Sequence, residues 1–218
     1  MKKTRVVVIG GQKGGTSKST IAQNLAVALA LEGGDVMVID TDSPQNTSDN
    51  WIESRNTGGI TPAIHCSMQV GSKVGAAIAD CRKRYSHVIV DTGASDSEEL
   101  RHALARADVL VTPFKPHQAD MWTVRKMNEI VSETRAVNPH LRALAVVSIA
   151  PANRRVSETA TAADFLAGFT ELTLAKTIIR DRLAYPRAMS EGRGVLEFEP
   201  VDEFARDEIT RLYREVFQ

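Results

Sequence analysis

Short runs of β-branched residues alternate with longer stretches of helical periodicity along the whole chain. Val6-Val7-Val8-Ile9 is one apolar run, and Val36-Met37-Val38-Ile39 is another that ends in Asp40. Further strands are predicted at His87 to Val90, Asp108 to Phe114, Leu144 to Ile149 and Leu174 to Ile179. Between the first two, Ser19 to Leu31 sets Ile21, Leu25, Ala28 and Leu29 on one helical face, and Gly33-Gly34 ends the helix. Helices are also predicted over about 72–84, 97–106, 118–136, 157–167 and 200–217. Strands this uniformly apolar are buried on both faces, which requires a parallel sheet with helices on each side. The expected fold is a doubly wound, mostly parallel α/β sheet, in one domain over residues 1–218 without linker or repeat. Ligands of such sheets bind beyond the carboxyl ends of the strands. Three polar clusters fall there: Gly10 to Thr20, Asp40 to Gln45, and Asp91 to Ala94.

Composition narrows the setting. The 218 residues carry 27 Lys+Arg against 27 Asp+Glu, a formal net charge of zero, with 43% hydrophobic residues, which excludes wholesale disorder. No apolar run approaches the roughly 20 residues of a membrane span. The first run ends at Gly10, too short for the core of a signal peptide. Cys66 and Cys81 have neither metal nor disulfide spacing, so a reducing cytoplasm is expected and buried thiols are the plainer reading. The five histidines are scattered without metal-ligand spacing. Neutrality speaks against a surface basic all over, but a local patch can still contact phosphates.

The first cluster, Gly10-Gly11-Gln12-Lys13-Gly14-Gly15-Thr16-Ser17-Lys18-Ser19-Thr20, joins a strand to a helix. Its glycines let successive backbone N–H groups turn toward phosphate oxygens, and the helix N-terminus adds partial positive charge. Lys18 would meet the β- and γ-phosphates, Ser19 would offer its hydroxyl to Mg²⁺, and Thr20 would bond the α-phosphate. The common pattern G-x-x-x-x-G-K-[ST] is not met, because Gln12 and Ser17 stand at its glycine positions. The second cluster, Asp40-Thr41-Asp42-Ser43-Pro44-Gln45, ends a strand with two carboxylates that can orient water and a metal shell. The third is an apolar strand ending in Asp91, a carboxylate suited to Mg²⁺, followed by Gly93 in a candidate switch segment at 92–96.

The segment Lys13-Gly14-Gly15-Thr16-Ser17-Lys18-Ser19-Thr20 resembles the deviant Walker A motif of the ParA/MinD ATPases. Ser17 stands where that family most often has glycine, a costlier choice if the backbone there needs positive φ. The family's D-x-D-P-Q resembles Asp40 to Gln45, with Ser43 as one extra residue. The resemblance covers essentially the whole chain. Pro113-Phe114-Lys115-Pro116 with Asp120-Met121-Trp122, and Arg180 to Val195, resemble segments of small plasmid-partition ParA proteins. What it implies is ATP as ligand with Mg²⁺, and a sandwich dimer in which Lys13 reaches the partner's ATP. It also implies that Asp42 positions the attacking water, with Asp40 supporting the Mg²⁺ and hydroxyl network.

The same resemblance implies nonspecific DNA binding by the dimer and hydrolysis stimulated by a ParB-like partner. Arg154, Arg155, Arg180, Arg182, Arg187 and Arg193 are the candidate DNA-binding residues in a nucleoid-associated bacterial protein. The phosphate loop lies within the first 20 residues, so no N-terminal helix-turn-helix domain is expected. The amphipathic tail Asp202 to Phe217 carries as much acid as base, and is expected to pack on the domain rather than enter lipid as in MinD. Two other readings share the fold: a dethiobiotin-synthetase-like ligase, which has no need of Lys13, and an iron–sulfur reductase-type ATPase, which the cysteine contexts oppose. Positioning of a large cellular cargo other than a plasmid would use the same machinery.

Overall fold

In chain order the elements are β1 (Arg5–Ile9), α1 (Lys18–Leu31), β2 (Val36–Asp40), α2 (Thr47–Thr57), β3 (His65–Met68), α3 (Lys73–Arg84), β4 (His87–Asp91), α4 (Glu98–Leu104), β5 (Val109–Phe114), α5 (Gln118–Thr134), β6 (Arg142–Ala150), β7 (Thr173–Arg180), α6 (Ala184–Ser190) and α7 (Glu203–Phe217). The computed structural model describes residues 4–116, 118–152 and 164–218. Among these, seven strands form one sheet in the order β3-β2-β4-β1-β5-β6-β7, and every neighbouring pair is parallel. This is the doubly wound sheet expected from the apolar runs.

Alternation along β1 sorts the core into two halves. Val7 and Ile9 pack with α1, α2, α6 and α7, whereas Val6 and Val8 pack with α3, α4 and α5. Strands β1, β2 and β4 sit between these layers, which is why their side chains are almost wholly buried. Helix α1 is buried around most of its circumference, not along one stripe, because the sheet, α2 and α7 enclose it. Helix α7 lays Ala205, Ile209, Leu212 and Val216 against this layer with no exposure. Burying the three larger chains is worth roughly 1.5–3 kcal/mol each, which holds the tail to the domain. No described helix is long and apolar enough to cross a membrane.

Two helices and one strand escape the hydrophobic pattern. Strand β3, His-Cys-Ser-Met, is a half-buried edge strand and needs no apolar run. Helix α2 is polar and buries only Ser48, Trp51, Ile52 and Arg55. Helix α6 is seven residues long and carries Pro186 in its first turn, where a missing N–H costs nothing. Of the helix expected at 157–167, residues 157–163 lie outside the described residues and 164–166 are helical.

Helix α2 is stapled to the loop after α6. Arg55 is fully buried, pairs with Glu197, and donates to the carbonyls of Gly192 and Pro62 at 3.1 and 2.8 Å. Trp51 Nε1 donates to the Arg193 carbonyl at 3.2 Å. Gly192 has φ +70, and a Cβ there would lie 2.5 Å from the Arg55 backbone nitrogen. Gly192→Ala is therefore expected to destabilise the fold by at least about 2 kcal/mol, combining left-handed strain with a backbone clash. Urea denaturation checks this, and a loss under half that size would contradict the close approach.

Candidate functional site

The chain leaves β1 at the sheet's centre and turns through a loop held from several sides. Gly15 and Ser17 take left-handed backbone, with φ 67 and 68. Ser17 thus occupies the positive-φ position that favours glycine, at a cost of about 1 kcal/mol. It is the N-cap of α1 yet makes no side-chain cap bond, leaving the helix's first turn facing the loop. Ser148, at the end of β6, donates its hydroxyl to the Thr16 carbonyl at 3.0 Å. The Thr16 hydroxyl and the Lys18 ammonium both donate to the Lys13 carbonyl, at 3.3 and 3.0 Å. These bonds set the curvature of the loop.

Three lysines surround it. Lys18 is 7% exposed, and burial lowers its pKa against the opposing charges of Asp91 and Asp42. Lys13 points instead to α5, with its Nζ 2.9 Å from Asp120 Oδ1. That oxygen is buried and makes no directed hydrogen bond, so the pair is held by charge and not by donor alignment. Lys115 brings its ammonium within 4.0 Å of the point where a Cβ on Gly15 would stand.

Carboxylates close the other side. Asp40 and Asp91 are register partners at the ends of β2 and β4, and Ile9 of β1 is the next partner of Asp91. Both carboxylates are buried. Asp40 accepts three backbone N–H bonds, from Asp42 and Ser48 at 2.9 Å and from Asp49 at 3.1 Å. Burial raises its pKa and those bonds pull it back. Its two oxygens serve the loop and the start of α2. Asp91 accepts 2.7 Å from the Ser48 hydroxyl through Oδ2, while its buried Oδ1 has no well-formed hydrogen bond among the described residues. Burial pushes this carboxyl up to about 7, with Ser48, Ser19 and Lys18 favouring the charged form and Asp40 opposing it. Asp42 Oδ1 lies 3.2 Å from the point where a side chain on Gly93 would begin, so the second and third clusters touch.

Beside Ser17 and Thr20 a cleft of about 530 Å³ runs between Trp51, Ile149, Arg180, Pro186 and Met189, large enough for a nucleoside. Ile149 has φ 52, a strained conformation for a β-branched residue, where β6 departs from regular register. Sequence reading missed this wall, along with Ser48, Ser148, Lys115 and the partner role of Asp120. Lys115, Asp120 and the wall residues Arg180, Pro186 and Met189 sit in segments whose residues carried a resemblance. A larger cavity of about 1110 Å³ opens at the opposite ends of the strands. Three of its four arginines are engaged: Arg5 and Arg142 cap the C-terminal carbonyls of α7, and Arg82 binds Asp108. Among the described residues no three His, Cys, Asp or Glu gather to hold a metal.

The candidate DNA-binding arginines divide. Arg182 donates twice to Glu208 of α7, at 2.8 and 2.7 Å, and lies over the Phe204 ring. With 12% of its side chain exposed it ties the end of β7 to α7. Arg180 lines the cleft and donates to the Pro151 carbonyl at 2.6 Å. Arg187 is exposed, and Arg193 is partly exposed with Glu191 3.8 Å away. Arg154 and Arg155 lie outside the described residues.

Comparison with known proteins agrees with this geometry. The chain is 25% identical to "Maintenance of carboxysome distribution protein A" of Halothiobacillus neapolitanus, covering 98% of this chain and 97% of that protein. It is 27% identical to "Chromosome-partitioning ATPase Soj" of Thermus thermophilus, over 91% and 90% of the two chains. The septum site-determining protein MinD of Pyrococcus horikoshii, solved with Mg-ADP, superposes with a TM-score of 0.73 at 17% identity, over 99% and 96%, a likeness of fold. The family described as the CobQ/CobB/MinD/ParA nucleotide binding domain matches residues 7–195. With most of its length matched, the chain belongs to the CobQ/CobB/MinD/ParA family of nucleotide-binding domains.

Proposed function

We propose that the chain is a Mg²⁺-dependent ATPase of the ParA type, dimeric when ATP-bound, that binds nonspecific DNA and is released on hydrolysis. The observation that carries the reading is the meeting of Lys18, Asp42 and the half-satisfied Asp91 at one mouth of the phosphate loop. Gly14, Gly15, Thr16 and Ser17 offer backbone N–H groups to phosphate oxygens, Lys18 its charge, and Thr20 its hydroxyl to the α-phosphate.

A magnesium ion fits the residues present, since Asp91 Oδ1 is buried and, among the described residues, has no well-formed hydrogen bond of its own. Ser19 and Asp91 would hold it, directly or through water, and Asp40 would act by fixing the loop that carries Ser48 and Asp42. When bound, the ion neutralises phosphate charge, and it keeps several waters, so a dedicated cage of side chains is not needed. Asp42 orients the attacking water beside Gly93, and Lys13 serves the ATP of a second subunit. A dethiobiotin-synthetase-like ligase has no use for that lysine.

Arg187 and Arg193 are the described cations proposed for DNA, with Arg154 and Arg155, and a ParB-like protein is the proposed stimulator. Plasmid DNA is the cargo we favour. A second reading, distribution of a large protein body over the nucleoid, draws support from the full-length likeness to a carboxysome distribution protein.

Lys18→Ala is expected to lower ATP affinity at least 100-fold in a fluorescent-nucleotide titration. Asp42→Ala should keep that affinity, cut hydrolysis at least tenfold and accumulate ATP-bound dimer on a sizing column. Wild-type turnover by Asp42→Ala would remove the water-positioning role. In a DNA titration with ATP, ADP and no nucleotide, tight binding is expected with ATP alone, weakening steeply with salt. Binding indifferent to the nucleotide would refute the switch.

A further inference from the structure

One carboxylate of α7 gathers hydrogen bonds from three residues that wall the nucleoside cleft. Glu208 Oε1 accepts two N–H groups of the Arg182 guanidinium, at 2.8 and 2.7 Å. Its Oε2 accepts the Arg180 backbone N–H at 3.2 Å and the Tyr185 hydroxyl at 3.0 Å. Arg180, Arg182 and Tyr185 all line the cleft beside Ser17 and Thr20. Burial and the facing carboxylate push the Tyr185 phenol up, so it stays protonated and donates. Glu208 is 8% exposed, and its helix is fixed in rotation by Ala205, Ile209 and Leu212, which have no exposure. The end of β6 holds the same wall from the other side. There the Asp181 N–H donates to the Ala150 carbonyl at 2.8 Å, and Arg180 donates to that of Pro151 at 2.6 Å. The wall thus hangs between the β6 backbone and a single side chain of α7.

We propose that Glu208 is a positioning residue for the nucleoside half of the nucleotide, setting the wall against which base and ribose pack while touching neither them nor the phosphates. The proposal rests on the nucleotide-binding reading above. The phosphate loop is curved by bonds of its own, from Ser148 to Thr16 and from Thr16 and Lys18 to Lys13, none of which involves Glu208. The two halves of the site are therefore separable. A glutamine at 208 has one acceptor oxygen for four donors and no charge to face Arg182, so it leaves part of the wall unanswered. The wall then shifts, and the nucleoside loses contacts that the phosphates do not use.

Two probes of the same loop test this, ATP and inorganic tripolyphosphate, each with Mg²⁺, titrated calorimetrically into wild type, Glu208→Gln and Tyr185→Phe. Glu208→Gln should bind ATP about tenfold more weakly and tripolyphosphate within twofold of wild type. Tyr185→Phe, which removes one donor and keeps the ring, should lose about threefold on ATP alone. Unchanged ATP affinity in Glu208→Gln overturns the proposal, as does an equal loss on both probes, which a purely structural role would give. Wild type that binds ATP no better than tripolyphosphate overturns the cleft as a nucleoside site. If Glu208→Gln does not fold, hydrogen exchange of the wild type decides. ATP should slow exchange over 180–190 and 204–212 at least fivefold more than tripolyphosphate does, and no slowing by ATP contradicts the proposal. Wild type that binds neither probe would instead sink the nucleotide reading itself.

Discussion

Two carboxylates buried side by side at the ends of adjacent parallel strands are the constraint around which this molecule is arranged. Asp40 and Asp91 are register partners with almost no exposure, and an apolar sheet interior offers neither of them water. Asp40 is answered by three backbone N–H groups, which fixes the loop from Asp42 to Asp49 and the start of α2. That loop then delivers the Ser48 hydroxyl to Asp91 and lays Asp42 against Gly93. Among the described residues, only Oδ2 of Asp91 receives a well-formed hydrogen bond. Its carboxyl, ordinarily near 3.8, is pushed up to about 7 by burial. An acid whose pKa is raised by folding takes stability away as it ionises, so this group's contribution falls as pH rises from 3.8 to about 7. The protein keeps a destabilised group where a cation can relieve it, a common mark of a functional site.

The rest of the fold transmits that arrangement. Helix α2 is capped at one end by Asp40 and locked at the other by Arg55, Glu197 and Gly192. On the far side, α5 holds residue 13 at its first turn and residue 12 near its middle, and its last turn reaches α4 through Arg101 and Glu133. Arg101 also grips Asp96, at the end of the candidate switch segment, with two bonds of 2.7 and 2.8 Å. The phosphate loop and the switch segment thus bear on opposite ends of one helix. Glu208 of α7 holds Arg182 and Tyr185, which line the nucleoside cleft, so the C-terminal helix backs the site's other wall.

What the sequence made legible follows from where the burial is greatest. Strands β1, β2 and β4 are apolar on both faces and sit at the centre, so their runs, and the acids ending β2 and β4, could be read directly. Strand β3 and helix α2 could not, because an edge strand and a polar helix stabilised by caps and one buried arginine leave no periodic trace. The phosphate loop was legible from its glycines and lysines, whereas the positive φ that Ser17 accepts is seen only in the fold. Asp40's backbone partners, Ser48 and the pairing of Lys13 with Asp120 were not, since each joins residues whose meeting depends on tertiary packing. The same holds for Arg182, a surface cation by composition that Glu208 and Phe204 enclose.

The most direct test of this account is proton linkage at Asp91. Calorimetric titration of ATP at pH 7 with excess Mg²⁺, repeated in buffers of different ionisation enthalpy, counts the protons exchanged on binding. A carboxyl held up to about 7 and relieved by a cation should release about half a proton, a release that Asp91→Asn abolishes. Binding whose heat is the same in every buffer, or that takes up protons, would contradict the claim that this buried carboxylate is the group awaiting charge.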